Sequence, residues 1–308
     1  QRRRRHFCDC IRFLKMKRLL NLFIISMALI VTDAKAACSG ATCCTVSSGV
    51  TTAPTFAEGS CDTEPASYGI TIYEKYLCKE IPTVPADGTA YNLDVGTKCF
   101  RTLHNSTGAT VDMAQTDSGL SFDATFTRPP DGVYTHGVMV MKNEFRIKQD
   151  MEFTEAITGD AGGTGKYCVS TSNSGHESAG NSLSCSATDG DTPGTFTSIL
   201  RTFSGSCVAG PGGFTASGTH SFTSGDVISA WLLDTNNEIA DDCTEAAAKD
   251  TLFGLQTFAT PVVVTELTSG FNMAFGVSSG SSMFQNGVGG SHSVGSGPFK
   301  VLITPINY

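Results

Sequence analysis

The sequence predicts an all-β fold, an antiparallel β-sandwich or jelly-roll-like architecture stapled by disulfides and carrying long Gly/Ser-rich loops. Three observations predict it. Short runs of β-branched and aromatic residues recur between turn residues, apolar residues at sustained helical spacing are nearly absent, and twelve cysteines accompany 33 glycines in 308 residues.

The chain begins with a basic run that precedes the first plausible start, Met16, so residues 1–15 read as upstream sequence outside the protein. From Met16, Lys17 and Arg18 form a positive n-region, Leu19 to Val31 an apolar run, and Ala34-Lys35-Ala36 a small-x-small cleavage pattern. Residues 16–36 therefore read as a signal peptide. A transmembrane anchor would need about 20 apolar residues, and Asp33 and Lys35 close this run early. The expected location is outside the cytosol: periplasmic, cell-surface or extracellular, with no transmembrane segment in the mature chain.

Removing residues 1–36 takes away nine basic and two acidic side chains and leaves 12 basic and 27 acidic residues in 272, a formal charge of −15. Such a surface repels phosphates, and no basic run survives in the mature chain, so nucleic acid is excluded as a partner. Self, other envelope proteins or an extracellular glycan remain the expected partners.

Ten cysteines follow the signal peptide: Cys38, Cys43, Cys44, Cys61, Cys78, Cys99, Cys168, Cys185, Cys207 and Cys243. An even set in an exported chain reads as a disulfide framework, and the wide spacing does not fit zinc. Sequence neighbours are the favoured pairs: Cys78 with Cys99, Cys168 with Cys185, Cys207 with Cys243, and two bridges among Cys38, Cys43, Cys44 and Cys61.

Residues 37–66 are Cys-, Thr- and Ser-rich and read as a stapled N-terminal segment or linker, leaving residues 67–308 as the β-sandwich, with a possible split into two β domains near 158. Strands are expected at 68–78, 98–104, 120–127, 133–142, 144–153, 166–171, 195–204, 213–222, 227–234, 252–258, 261–267, 271–278 and 298–304. Ile70 with Ile72, and Phe145 with Ile147, show the alternation of a half-buried strand. Pro129-Pro130-Asp131-Gly132 breaks the chain before Val133, and Asn286-Gly287 is a tight-turn signal. Residues 157–195 read as a long loop closed by Cys168 and Cys185, and 276–297 as a hairpin tip. Glu245 to Leu252 is the one candidate helix, or else a turn.

The run Ile70-Thr71-Ile72-Tyr73-Glu74-Lys75-Tyr76-Leu77-Cys78, then Cys99-Phe100, then Pro129-Pro130-Asp131-Gly132-Val133-Tyr134 leading into a strand, resembles exported β-rich proteins of marine bacteria. The Pro-x-Gly-x-Tyr element also resembles transthyretin-like surface modules. The resemblance spans residues 68–148 and implies an exported β fold; it brings no catalytic residues.

Motif chemistry is sparse. Gly276-Val277-Ser278-Ser279-Gly280 matches a nucleophile elbow, but that device needs a helix after the turn and an acid before the histidine, and no Asp or Glu follows. Asp234, Asn236, Glu238, Asp242 and Glu245 place oxygen ligands at calcium-loop spacing, yet Ile239 occupies the position where the turn needs glycine. Calcium is therefore the only cofactor considered, and no catalytic residue is assigned. Trp231 lies in an apolar run and is expected in the core. The expected role is a structural or adhesive surface protein without catalysis; the alternatives are a glycan- or small-ligand-binding module and a secreted hydrolase of unfamiliar type.

Overall fold

The computed structural model describes residues 44–57, 59–114, 124–176, 180–203, 207 and 214–308. The expected signal peptide, the upstream segment, Cys38 and Cys43 lie outside the described residues. The described chain falls in one compact unit.

In chain order the strands are β1 (Val46–Ser47), β2 (Val50–Thr51), β3 (Ser60–Thr63), β4 (Ser67–Cys78), β5 (Cys99–Asp112), β6 (Thr125–Phe126) and β7 (Gly132–Lys142). Next come β8 (Phe145–Lys148), β9 (Asp150–Thr158), β10 (Thr164–Ser170), β11 (Ser174–Gly175), β12 (Leu183–Ser186) and β13 (Phe196–Ser198). The last are β14 (Ser217–Ser221), β15 (Val227–Leu232), β16 (Thr251–Val264), β17 (Thr268–Gly276), β18 (Ser281–Gln285), β19 (His292–Ser296) and β20 (Lys300–Asn307), with one helix among the described residues, α1 (Cys243–Lys249).

The fold is all-β and sandwich-like. The main sheet runs β11-β13-β8-β4-β7-β16-β15-β14, with β5 and β6 branching from β4. Its inner face carries Ile70, Ile72, Met139, Met141 and Leu252, which pack against Phe275 and Val301 of the two-stranded layer β17–β20. Tyr68 anchors this core: its ring is fully buried against Phe145 and edge-on to Phe299, and its hydroxyl donates to Gly297 O at 2.9 Å. Burial pushes that phenol well above the usual range. Polar contacts tie the layers together. Gln256 bonds the backbone of Val301 in both directions (3.0 and 2.8 Å), and Lys300 reaches Asp226 at 2.9 Å.

A second core lies between the sheet β1-β2-β9-β10-β12 and the sheet β19-β18-β3, filled by Met151, Phe153, Leu183, Met283 and Val294. This corrects two expectations. Residues 37–66 are not merely a lead-in, because β2 pairs in parallel with β9 and β3 pairs with β18. Residues 157–195 are not one long loop, since they contain β10 to β12. The glycines that mimic a loop there serve close packing: a Cβ on Gly165 would lie 1.7 Å from Ser186 O, and one on Gly163 would lie 2.0 Å from Cys185 O. The expected strand 144–153 is also divided, because at the buried Gln149 the chain leaves the main sheet as β8 and enters the second as β9. Conversely, the expected strands 252–258 and 261–267 form the single long β16, with a register shift between Thr257 and Val262.

Among the described residues four disulfides are present: Cys44–Cys61, Cys78–Cys99, Cys168–Cys185 and Cys207–Cys243. Cys78 faces Cys99, and Cys168 faces Cys185, directly across paired strands. These bridges place the folded chain in an oxidising compartment. Among the described residues no helix is long and apolar enough to cross a membrane.

Asp160 holds the turn between β9 and β10 onto β12. Its carboxylate accepts from Ser182 N at 2.9 Å, Leu183 N at 2.7 Å and the Ser182 hydroxyl. Asp160→Ala leaves two backbone donors without a partner and is expected to lower unfolding stability by about 2–3 kcal/mol. A urea midpoint unchanged from wild type would show that water replaces the carboxylate.

Candidate functional site

The chemically unusual side chain in the described structure is Lys75, and a backbone irregularity puts it where it is. On β4, Ile72 faces Met141 of β7 and Glu74 faces Val140, so Tyr73 is an extra residue bulged out of the ladder. Strict alternation from Ile70 and Ile72 would send Glu74 inward and Lys75 outward. The bulge reverses the parity beyond Tyr73: Lys75 falls opposite Met139 on the inner face, and Glu74 falls opposite Val140 on the outer one.

On the outside Glu74 meets partners. It accepts from Tyr76 Oη at 2.7 Å and pairs with Arg101 at 3.3 Å, and His104 Nδ1 lies 3.3 Å from it. Inside, Lys75 is only 6% exposed, and its ammonium nitrogen has one polar partner among the described residues, the Met273 thioether sulfur at 2.7 Å. Among the described residues no carboxylate compensates it. Burial pushes the amine from its usual 10.5 down to about 7.

Lys75 forms part of the floor of a cleft of about 400 Å³ between the β4–β5 side of the main sheet and the β17–β20 layer. Leu77 and Leu103 line one wall, and Phe271, Met273 and Ile303 the other. Arg128 stands at the cleft with its guanidinium already committed: Nε donates to Thr268 O at 2.7 Å, and Nη2 contacts Thr265 O and Asp131. A smaller apolar cavity of about 70 Å³, lined by Met139, Met141, Leu255 and Phe258, also borders Lys75. A mostly apolar cleft with a few polar groups is the form a small-molecule site takes.

The sequence-derived calcium positions are engaged elsewhere. Asp234 Oδ1 accepts from Asn236 N and Glu238 N at 2.8 Å each, closing a turn in which Asn236 Nδ2 also reaches Asp234. Asp242 caps α1 through Thr244 N and Glu245 N, and Glu245 accepts from Asp241 N. The helix thus starts at Cys243 rather than Glu245 because the cap is Asp242. Among the described residues no three His, Cys, Asp or Glu side chains gather closely enough to hold a metal ion.

The Gly276–Gly280 segment turns from β17 into β18, a strand-to-strand turn rather than the strand-to-helix elbow a serine nucleophile needs. His292 is buried on β19, with Nε2 donating to Pro54 O at 3.0 Å. Trp231 is half-buried on the outer face of the main sheet, edge-on to Phe253 at 5.7 Å, rather than within the inner core.

Sequence reasoning did not single out Lys75. A lysine in a run otherwise rich in Ile, Tyr and Leu was the only available signal, and period-two alternation turned it toward solvent. Comparison with family models, curated proteins and solved structures gives no match to this chain, so the reading of the site rests on its own geometry.

Proposed function

We propose that this is an exported β-sandwich module that binds a small, mainly apolar ligand in the cleft over Lys75. One observation carries the reading: a buried lysine, without a carboxylate partner among the described residues, lies at the floor of an open, mostly apolar cleft of about 400 Å³. Burying an amine costs stability unless something compensates it, and a ligand with one polar end would do so. The four disulfides and the signal-peptide pattern support an extracytoplasmic setting for such a module.

The test closes the cleft without touching Lys75. Gly270 lines the cleft, and a Cβ built there first meets Ile306 Cδ1 at 3.7 Å, an ordinary contact. Gly270→Phe is therefore expected to fold and to fill the space. Calorimetric titration of the mature protein with 1-decanol should show saturable binding that Gly270→Phe weakens by roughly tenfold or more, the scale of about 1.4 kcal/mol. No heat with wild type titrated up to the aqueous solubility limit of decanol refutes the cleft as a ligand site.

A second reading, the structural or adhesive role expected from the sequence, is favoured by a separate feature. Val133 and Val263 face each other across β7 and β16 while 52% and 49% exposed, and Leu267 is 56% exposed. Exposed apolar clusters mark contact surfaces. Concentration-dependent sedimentation of the mature chain, lost in Val133→Lys with Val263→Glu, would establish it.

A further inference from the structure

We propose that Lys75 is an imine-forming lysine, and that the ligand class of the cleft is a small apolar aldehyde with its chain among Phe271, Met273 and Ile303 and its carbonyl carbon at Nζ. This rests on the cleft being a ligand site and adds the chemistry at its floor.

Three features of the structure carry the inference. The first is isolation. Lys98 lies 2.8 Å from Asp94, Lys142 2.5 Å from Glu144, and Lys300 2.9 Å from Asp226, each amine with a carboxylate beside it, whereas among the described residues the polar neighbour of Lys75 is a thioether. A neutral amine keeps its lone pair, which is what nucleophilic attack requires. Burial leaves Lys75 near pH 7 in that form for about half the population, while the Asp94 and Glu144 partners push Lys98 and Lys142 upward.

The second is access: Lys75 borders the cleft although its side chain is buried, so a ligand reaches it along an apolar path. The third is that Arg128 and Thr102, two of the donors at the cleft, are already engaged. A carboxylate head would need a second donor, but Arg128 is spent on Thr268, Thr265 and Asp131, and the Thr102 hydroxyl donates to Lys75 O. An uncharged carbonyl asks for neither.

The reaction balances without an outside oxidant or reductant. The Nζ lone pair forms a bond to the carbonyl carbon, the C–O π electrons move to oxygen, and a proton passes from nitrogen to that oxygen. The carbinolamine then expels its hydroxyl with a second nitrogen proton as one water, leaving a C=N double bond. The open cleft lets that water leave.

Trapping tests it. The mature, oxidised protein is incubated at pH 7 with decanal and cyanoborohydride, which reduces an imine to a stable secondary amine, and labelled positions are mapped by peptide mass spectrometry. Lys75 is expected to be labelled roughly tenfold or more faster than Lys98, with the ratio collapsing in urea and falling in Gly270→Phe. Labelling of Lys75 no faster than Lys98 overturns the imine. The 1-decanol titration separates the two levels: decanol binding without fast Lys75 labelling removes the aldehyde chemistry and leaves the cleft standing, and failure of both removes both.

Discussion

Lys75→Met is expected to make the protein more stable, by about 2–4 kcal/mol near pH 7, the reverse of what most core substitutions do. Methionine matches the length of the lysine stem and joins Met139, Met141 and Met273, so it fills the space without a new cavity. What it removes is the cost of keeping an amine away from water with a thioether as its partner among the described residues.

The pH dependence follows from the folded amine lying near 7 against 10.5 in the unfolded chain. Between those values the unfolded state holds a proton that the folded state has lost, so unfolding takes up a proton and stability rises with pH. The full cost is present below about pH 7 and fades toward pH 10.5. Because other groups titrate alike in both proteins, the stability gap between Lys75→Met and wild type should be widest in acid and neutral solution and close on going alkaline. Paired urea titrations at pH 6, 8 and 10 read it. A gap that is absent, or that stays constant with pH, means that Lys75 keeps its charge and its water.

The position of that lysine shows where sequence reading stops. The strand 68–78 is legible from its Ile and Tyr content, and its alternation is right through Ile72. The bulge at Tyr73 is not legible, since neither glycine nor a turn residue marks it; it is imposed by the pairing of β4 with β7, a partner some 60 residues away. Every side chain past it exchanges faces, and with that exchange goes the site. The Gly- and Ser-rich stretch 157–195 fails for a different reason. Glycine marks both a flexible loop and a tight approach of two backbones, and only the second sheet, assembled from segments distant in sequence, decides between them. By contrast the Cys78–Cys99, Cys168–Cys185 and Cys207–Cys243 pairs were legible as neighbours; the first two close antiparallel pairs of strands, where sequence proximity and spatial proximity coincide.

Removing Cys78–Cys99 by a double substitution to alanine is expected to cost more than removing Cys207–Cys243, although loop closure alone ranks them the other way. For separations of 21 and 36 residues the unfolded-state argument gives about 3 and about 4 kcal/mol. Packing reverses the order. Cys78 and Cys99 are both fully buried, whereas Cys207 and the residues around the start of α1 are exposed or half-exposed. The buried pair loses a further 1–2 kcal/mol or so as the site is emptied. It also releases the segment from residue 79 to 98, which lays Tyr91 and Leu93 over Phe253 on the outer face and is held by short bridges such as Thr83–Asn92 and Ala86–Thr89 and by turn hydrogen bonds. Phe253 would then meet water. The comparison is made by urea unfolding of the two double variants under oxidising conditions; a larger loss for the Cys207/Cys243 variant would establish that chain entropy, not burial, sets the worth of these bridges.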